Sequence, residues 1–374
     1  MTRVLFVVPH LGGSMRLLAD LLRHLPDHTI VPTLLALGEE ATLRDEFPPR
    51  ARVVTLGHGD GLSGRVKSLR AILKEARSAD VVVGWAELTP TYLAALAAFV
   101  AGKPVVGWVH TNLSRVFELR QRPGTAHRVA MRALYPRLAR TVGVSEGVAE
   151  DLRERFHLGN VIYLPNCVDV ERIRRLAKEP SEDLGLRSLP NPVLVSASAL
   201  HYQKGLDVLL RSHALLLRGG RRHHLVILGE GSARADLEAQ RKALALEETV
   251  HMPGFLKNPY PLIARAAGFV LCSRFEGFAL ALAEAMALGV PAAATDCPSG
   301  PAEILGGGRF GILVPVDDEE GMSRAMGSLL DGKGAPLAER AEREGALRRY
   351  NCREAAARFA ALIEGTAGVR REAA

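Results

Sequence analysis

Cysteine is scarce in this chain, aromatic side chains are few, and no apolar run is long enough to cross a bilayer. The four cysteines among 374 residues, Cys167, Cys272, Cys297 and Cys352, lie far apart and follow no metal-binding spacing. They predict reduced structural thiols rather than a disulfide scaffold or a metal site. A spanning helix needs about 20 consecutive apolar residues, and none is present. The chain runs from Met1 directly into the strand-like Val4–Val8, without the organisation of a secretion signal. The expected location is cytoplasmic.

What the chain has in plenty is aliphatic side chains. Hydrophobic residues make up 48% and aromatics only 5%, the balance of buried parallel strands covered by helices. Strand-like runs occur at Val4–Val8, Ile30–Leu37, Arg52–Leu56, Val81–Gly84, Pro104–Val109, Thr141–Val144 and Val161–Leu164. A second round follows at Val193–Ala197, His224–Leu228, Val250–Met252, Phe269–Cys272, Val290–Ala294 and Ile312–Val314. Helical stretches such as Met15–Leu25 and Ser63–Arg77 separate them. Between the rounds, Glu179–Pro192 is polar, proline-containing and aperiodic, and reads as a linker. The predicted fold is α/β, two Rossmann-like doubly wound domains facing a cleft, over 1–178 and 193–350.

The most informative stretch is Ser273 to Ile304, SRFEGFALALAEAMALGVPAAATDCPSGPAEI. Phe278–Leu288 reads as a helix that is apolar on every face, with Glu284 its only charge. A buried unpaired carboxylate is costly, so Glu284 is expected either to be paired or to face a ligand. Glu276 stands eight residues earlier, in the turn before the helix, beside Gly277. Pro301 after Pro298-Ser299-Gly300 suits a first helical position. Two helix N-termini near one cleft would then offer free N–H groups to a phosphate.

At these residues the chain resembles the large retaining glycosyltransferase family with the GT-B fold and a Glu-x7-Glu signature, to which bacterial polysaccharide and lipopolysaccharide transferases belong. The segments GVSEGVAEDL (143–152), LPNCVD (164–169), QKGLDVLLRSHALL (203–216), LGEGSARADLEAQ (228–240) and PGFLKNPYPLIARA (253–266) are similar too. The resemblance implies that Glu284 holds the ribose hydroxyls of a nucleotide and that Glu276 lies beside the donor sugar. Gly277 and Phe278 would supply nearby backbone, and Lys204 would neutralise the leaving diphosphate. It also implies no metal or other cofactor, and a last helix, within 351–374, that crosses back to the first domain.

Other residues carry weaker signals. Gly12 and Gly13, after the first strand, allow close backbone approach to a ligand; a tight turn alone would also need them. His110 ends a strand where carboxyl ends open onto a cleft, and the resemblance gives it contact with sugar hydroxyls. Phe255 is expected to wall the base. One departure stands out: relatives carry an arginine five residues before the lysine, whereas this chain has Ala199. Arg274 or His201 would have to compensate.

The net charge of +7 is concentrated. Between Ser114 and Arg140, seven arginines (115, 120, 122, 128, 132, 137, 140) face one acid, Glu118, with Leu119, Val129, Met131, Leu134, Tyr135 and Leu138 interleaved. A solvated helix face explains this pattern as readily as docking on anionic lipid headgroups at the inner face of the plasma membrane. Nucleic acid is not expected, because no binding module or aromatic platform accompanies the charge. The predicted activity is retaining, metal-independent transfer of a hexosyl-type sugar from a nucleotide diphosphate sugar, UDP-linked, to a glycan or lipid-linked acceptor. A nucleotide-sugar epimerase and a non-catalytic nucleotide-sugar or membrane-binding protein are the alternatives.

Overall fold

The computed structural model describes all residues except 12–14, 39–42, 58–60, 120–123, 181–188, 190–191, 334–339 and 369–374. Two compact units emerge: Met1–Cys167 with Tyr350–Ala374, and Val168–Arg349. No helix among the described residues is long and apolar enough to cross a membrane.

The first unit is built on seven parallel strands: β1 (Thr2–Val8), β2 (Ile30–Ala36), β3 (Arg52–Thr55), β4 (Val81–Gly84), β5 (Val105–Val109), β6 (Arg140–Gly143) and β7 (Val161–Tyr163). Their order in the sheet is β3-β2-β1-β4-β5-β6-β7. β1 through β3 build outward one way and β4 through β7 the other, so the winding reverses between β1 and β4. The loops after those two strands must part there and leave a crevice at their carboxyl ends. Val4 to Val8 and Val81 to Val83 are all buried, as expected of strands covered on both faces. The chain returns to this unit in the helix Cys352–Gly368, where Phe359 is fully buried and stacks on Phe6 at 5.9 Å.

The second unit repeats the plan with β8 (Val193–Ala197), β9 (His224–Leu228), β10 (Val250–Gly254), β11 (Gly268–Leu271), β12 (Ala292–Thr295) and β13 (Ile312–Val314). The order β10-β9-β8-β11-β12-β13 puts its reversal between β8 and β11. Leucine, alanine and methionine from the helices Leu206–Arg218 and Glu319–Leu330 pack with these strands into one core.

The helix Val170–Leu176 belongs to the second unit, although the sequence placed residues up to 178 in the first. Its attachments explain this. Ile173 is buried, Arg174 Nε donates to the Ala287 carbonyl at 3.1 Å, and Asn258 Nδ2 donates to the Leu176 carbonyl at 2.9 Å. Most of the expected linker lies outside the described residues.

Near the amino ends of β9 and β10, four histidines pair up. His213 Nδ1 lies 2.8 Å from His223 Nε2, its Nε2 lies 3.0 Å from the Thr249 hydroxyl, and His224 Nδ1 lies 3.0 Å from His251 Nε2. Burial, then the neighbouring imidazoles, lowers the pKa of His213 to about 3.

Candidate functional site

The crevice between β8 and β11 collects most of the charged candidates. After β8 the chain forms a single 3-10 turn, Tyr202–Lys204, and passes through Gly205 at φ +58°. A Cβ on Gly205 would stand 2.0 Å from the Cys272 carbonyl oxygen, so only glycine lets this turn press against the end of β11. The close fit carries Lys204 to Glu276. Lys204 Nζ donates to Glu276 Oε1 at 2.6 Å, and the fully buried Ser273 hydroxyl donates to the same oxygen at 2.6 Å. Among the described residues, Oε2 of Glu276 has no hydrogen-bond partner. The glutamate is thus held by one oxygen and presents the other. Such charge-assisted bonds, shielded from water, are stronger than their exposed counterparts.

Arg274 does not fill the place expected of it. Its guanidinium makes a two-pronged bond to Asp207, Nη1 to Oδ1 at 2.9 Å and Nη2 to Oδ2 at 2.8 Å, while Nε lies 2.9 Å from Asp317 Oδ1. The same group lies over the Tyr202 ring at 4.1 Å and donates to the Tyr202 carbonyl. Burial alone would raise the Asp207 pKa, but the Arg274 hydrogen bonds and charge hold it below the ordinary carboxylate range. With two carboxylates already paired to it, Arg274 is a brace between loops rather than a free cation for a diphosphate. His201, the other expected substitute, has Nδ1 3.0 Å from the Ser232 hydroxyl. Ala199 is exposed in the loop after β8.

Glu284 corrects the sequence reading in a second way. The helix runs Leu280–Ala287 and is not buried on every face, although Glu284 is its only charge. Leu280, Ala281, Glu284 and Leu288 are half-buried along one side, whereas Leu282, Ala283 and Ala285 to Ala287 are buried. Glu284 therefore stands on an open stripe, and Tyr260 Oη donates to its Oε1 at 2.9 Å. Its position before a ligand no longer rests on the cost of an unpaired buried charge.

The loops around it are tight. Ala279, the residue before the helix, has φ +57°, and Ser299 has φ +67°. Glu276 N–H donates to the Pro298 carbonyl at 3.1 Å, and a Cβ on Gly300 would meet the Phe278 carbonyl carbon at 2.8 Å. Gly277 and Phe278 are buried in this contact. Two non-glycine residues in the left-handed region so close together store strain of the kind found where a loop is shaped for a ligand. The second helix N-terminus is weaker than expected, because Pro301–Ile304 is a single turn with little dipole behind it. Phe255, after β10, is 60% exposed, as a stacking wall requires. Sequence reasoning missed Ser273 and Tyr260, although Ser273 sits in the SRFEGF motif itself.

In the first unit, His110 follows β5. Its backbone N–H donates to Glu87 Oε2 at 3.0 Å, and its ring lies 5.4 Å from Trp85. Burial lowers its pKa against the opposing pull of Glu87, so the imidazole is neutral at pH 7. Gly12 and Gly13 lie outside the described residues. Along the basic segment, Met131, Tyr135 and Leu138 are buried in the domain, Leu119 and Leu134 are half-buried and Val129 is exposed. Half of the interleaved apolar residues are therefore core, and Arg115, Arg128, Arg132, Arg137 and Arg140 are exposed.

Residues 11–172 match the family model Glycosyltransferase Family 4, and residues 191–332 match Glycosyl transferases group 1. A Campylobacter jejuni N-acetylgalactosamine-N,N'-diacetylbacillosaminyl-diphospho-undecaprenol 4-alpha-N-acetylgalactosaminyltransferase is 35% identical over 202 residues, 53% of this chain and 52% of that protein. An Escherichia coli lipopolysaccharide 1,6-galactosyltransferase is 30% identical over 29% of this chain and 32% of its own. The chain thus spans about half or less of the curated relatives it matches. Anabaena HepE in complex with UDP and glucose superposes with a TM-score of 0.78 at 20% identity, over 97% of this chain and 99% of that one. Sucrose-phosphate synthase from Thermosynechococcus elongatus gives 0.78 at 16%, over 98% and 99%. The chain has the GT-B architecture of two parallel-sheet α/β domains, and each domain matches a glycosyltransferase family.

Proposed function

We propose that the protein is a retaining glycosyltransferase of bacterial cell-envelope polysaccharide synthesis that takes its sugar from a UDP-sugar. The observation that carries this reading is the Lys204–Glu276 pair at the switch point of the second sheet, with Glu284 on the open stripe of the adjoining helix. In this reading the pyrophosphate lies over Lys204 and the backbone N–H groups at the start of the Leu280–Ala287 helix. Glu284 accepts the ribose hydroxyls, Phe255 stacks on the base, and Oε2 of Glu276 accepts a hydroxyl of the sugar.

As the bond between the sugar and the diphosphate breaks, negative charge grows on the leaving oxygen. Lys204 turns from Glu276 toward that oxygen, and an interaction that strengthens in the transition state raises turnover more than affinity. The acceptor oxygen then bonds to the same face of the sugar and its proton passes to the leaving phosphate oxygen. A neutral His110 suits hydrogen bonding to sugar hydroxyls better than charge stabilisation. The UDP of the Anabaena relative supports the donor, and the diphospho-undecaprenol of the Campylobacter relative supports a lipid-linked acceptor reached at the inner face of the membrane.

A non-catalytic nucleotide-sugar binder is the second reading, because Ala199 and the pairing of Arg274 leave Lys204 the principal cation of the crevice. Incubation with UDP-sugars and acceptor mixtures distinguishes the readings. Transfer, or slow donor hydrolysis, is expected; an epimerised donor or an unchanged one overturns the proposal.

A further inference from the structure

Within the first unit, at the amino ends of β5 and β6, a cavity of about 560 Å³ lies between the sheet, the end of the Thr89–Ala101 helix and the end of the Cys352–Gly368 helix. It is at the opposite end of the sheet from His110. Its walls combine Phe99 and Leu362 with Lys103, Arg137 and Arg140, and include no carboxylate. None of these three cations forms an ion pair among the described residues. Arg137 and Arg140 donate only to the backbone carbonyls of Ala133 and Ala139, and Asp80, on which the Lys103 charge acts, is already bound by Arg3.

The rim is unusual for a soluble domain. Leu96, Phe99 and Val100 are 41%, 37% and 73% exposed and share one face of a helix without a charged residue. The spacing i, i+3, i+4 makes them a continuous outward stripe, where a domain helix ordinarily carries polar side chains. Cations around a cavity of ligand size, beside an outward apolar stripe, complement an anionic headgroup with hydrocarbon next to it.

We propose that this cavity takes the phosphate headgroup of an anionic membrane lipid while Leu96, Phe99 and Val100 enter the edge of the hydrocarbon layer. The docking surface is then this end of the first unit rather than the arginine-rich Thr125–Leu134 helix, where Met131 is buried and Val129 is the one large apolar side chain exposed. It stands independently of the transferase reading, because binding is measured without turnover.

Cosedimentation of the full chain with phosphatidylglycerol vesicles, against phosphatidylcholine vesicles, tests it. Binding only to the anionic vesicles is expected. Arg137→Ala with Arg140→Ala should lower the vesicle affinity roughly tenfold. Val100→Asp, at a solvent-exposed position, should do the same, and Arg128→Ala with Arg132→Ala should change it by less than about twofold. Unaltered melting curves show that each variant is folded. Absence of wild-type binding, an equal loss in both arginine pairs, or indifference to Val100→Asp overturns the proposal. So does displacement by soluble glycerol 3-phosphate, which would assign the cavity to a free phosphate ester.

Discussion

At the carboxyl end of the second sheet, a lysine and a glutamate meet at 2.6 Å over a buried serine; toward the same end of the first, two tryptophans stack at 4.4 Å beside a neutral histidine. Both sheets reverse their winding one strand from the start, between β1 and β4 in one and β8 and β11 in the other. The shared topology makes the crevices, and the loop residues decide their chemistry. In the proposed reading the crevice of the second sheet answers an anion. In the other the two tryptophans, each 1% exposed, are core side chains packed on Phe6 and Phe359, and His110 with Glu87 are the polar groups left at the end of the strands.

The largest expected effect breaks the charged side of this comparison. Lys204→Ala should lower turnover about 100-fold while weakening donor binding far less, read from kcat and KM. It also strips Glu276 of its cation, and breaking a buried pair costs about 3–5 kcal/mol. Adding Glu276→Gln should therefore recover much of the melting temperature and none of the activity. A double variant as unstable as Lys204→Ala would mean that the loss does not come from the stranded Glu276 charge.

Next in size is an effect of acid. Because His213 and His223 have pKa values lowered by burial, the unfolded chain binds more protons than the folded one as pH falls below about 6.5. Stability is full above that value and, for His213, falls by roughly 1.4 kcal/mol per pH unit from there toward its folded pKa of about 3, with His223 adding in the same direction. His213→Gln should flatten the dependence of unfolding free energy on pH between neutrality and pH 5. An unchanged slope would show that the loss comes from other groups.

The smallest effect concerns Ala199. It is exposed, so an arginine there has room, and Ala199→Arg should raise transfer or hydrolysis a few-fold, by adding a charge-assisted bond to the leaving phosphate. A variant no faster than the wild type would indicate that Lys204 and the helix N-terminus suffice.

How far the sequence could be read depended on distance along the chain. Strands showed as aliphatic runs, and all thirteen expected ones are present within a few residues of their expected bounds, because burial on both faces leaves a local signature. Gly205 and Gly300 likewise stand beside turn signals. Arg274 was misjudged because the carboxylates that hold it, Asp207 and Asp317, come from two other loops and no local pattern points to them. Glu284 was judged by composition, and a short helix of alanine and leucine does not reveal which stripe its neighbours leave open. The Val170–Leu176 helix went to the wrong domain for a similar reason, since its attachments at Ala287 and Asn258 are far away in sequence.

The central claim is that the second unit alone supplies the nucleotide contacts. Calorimetric titration of UDP into the wild type, Glu284→Ala and His110→Ala tests it most directly. The account expects affinity to fall about tenfold or more in Glu284→Ala, the size of a lost bond to a charged acceptor, and to stay unchanged in His110→Ala. Equal UDP affinity in the wild type and Glu284→Ala, or a loss confined to His110→Ala, would contradict it.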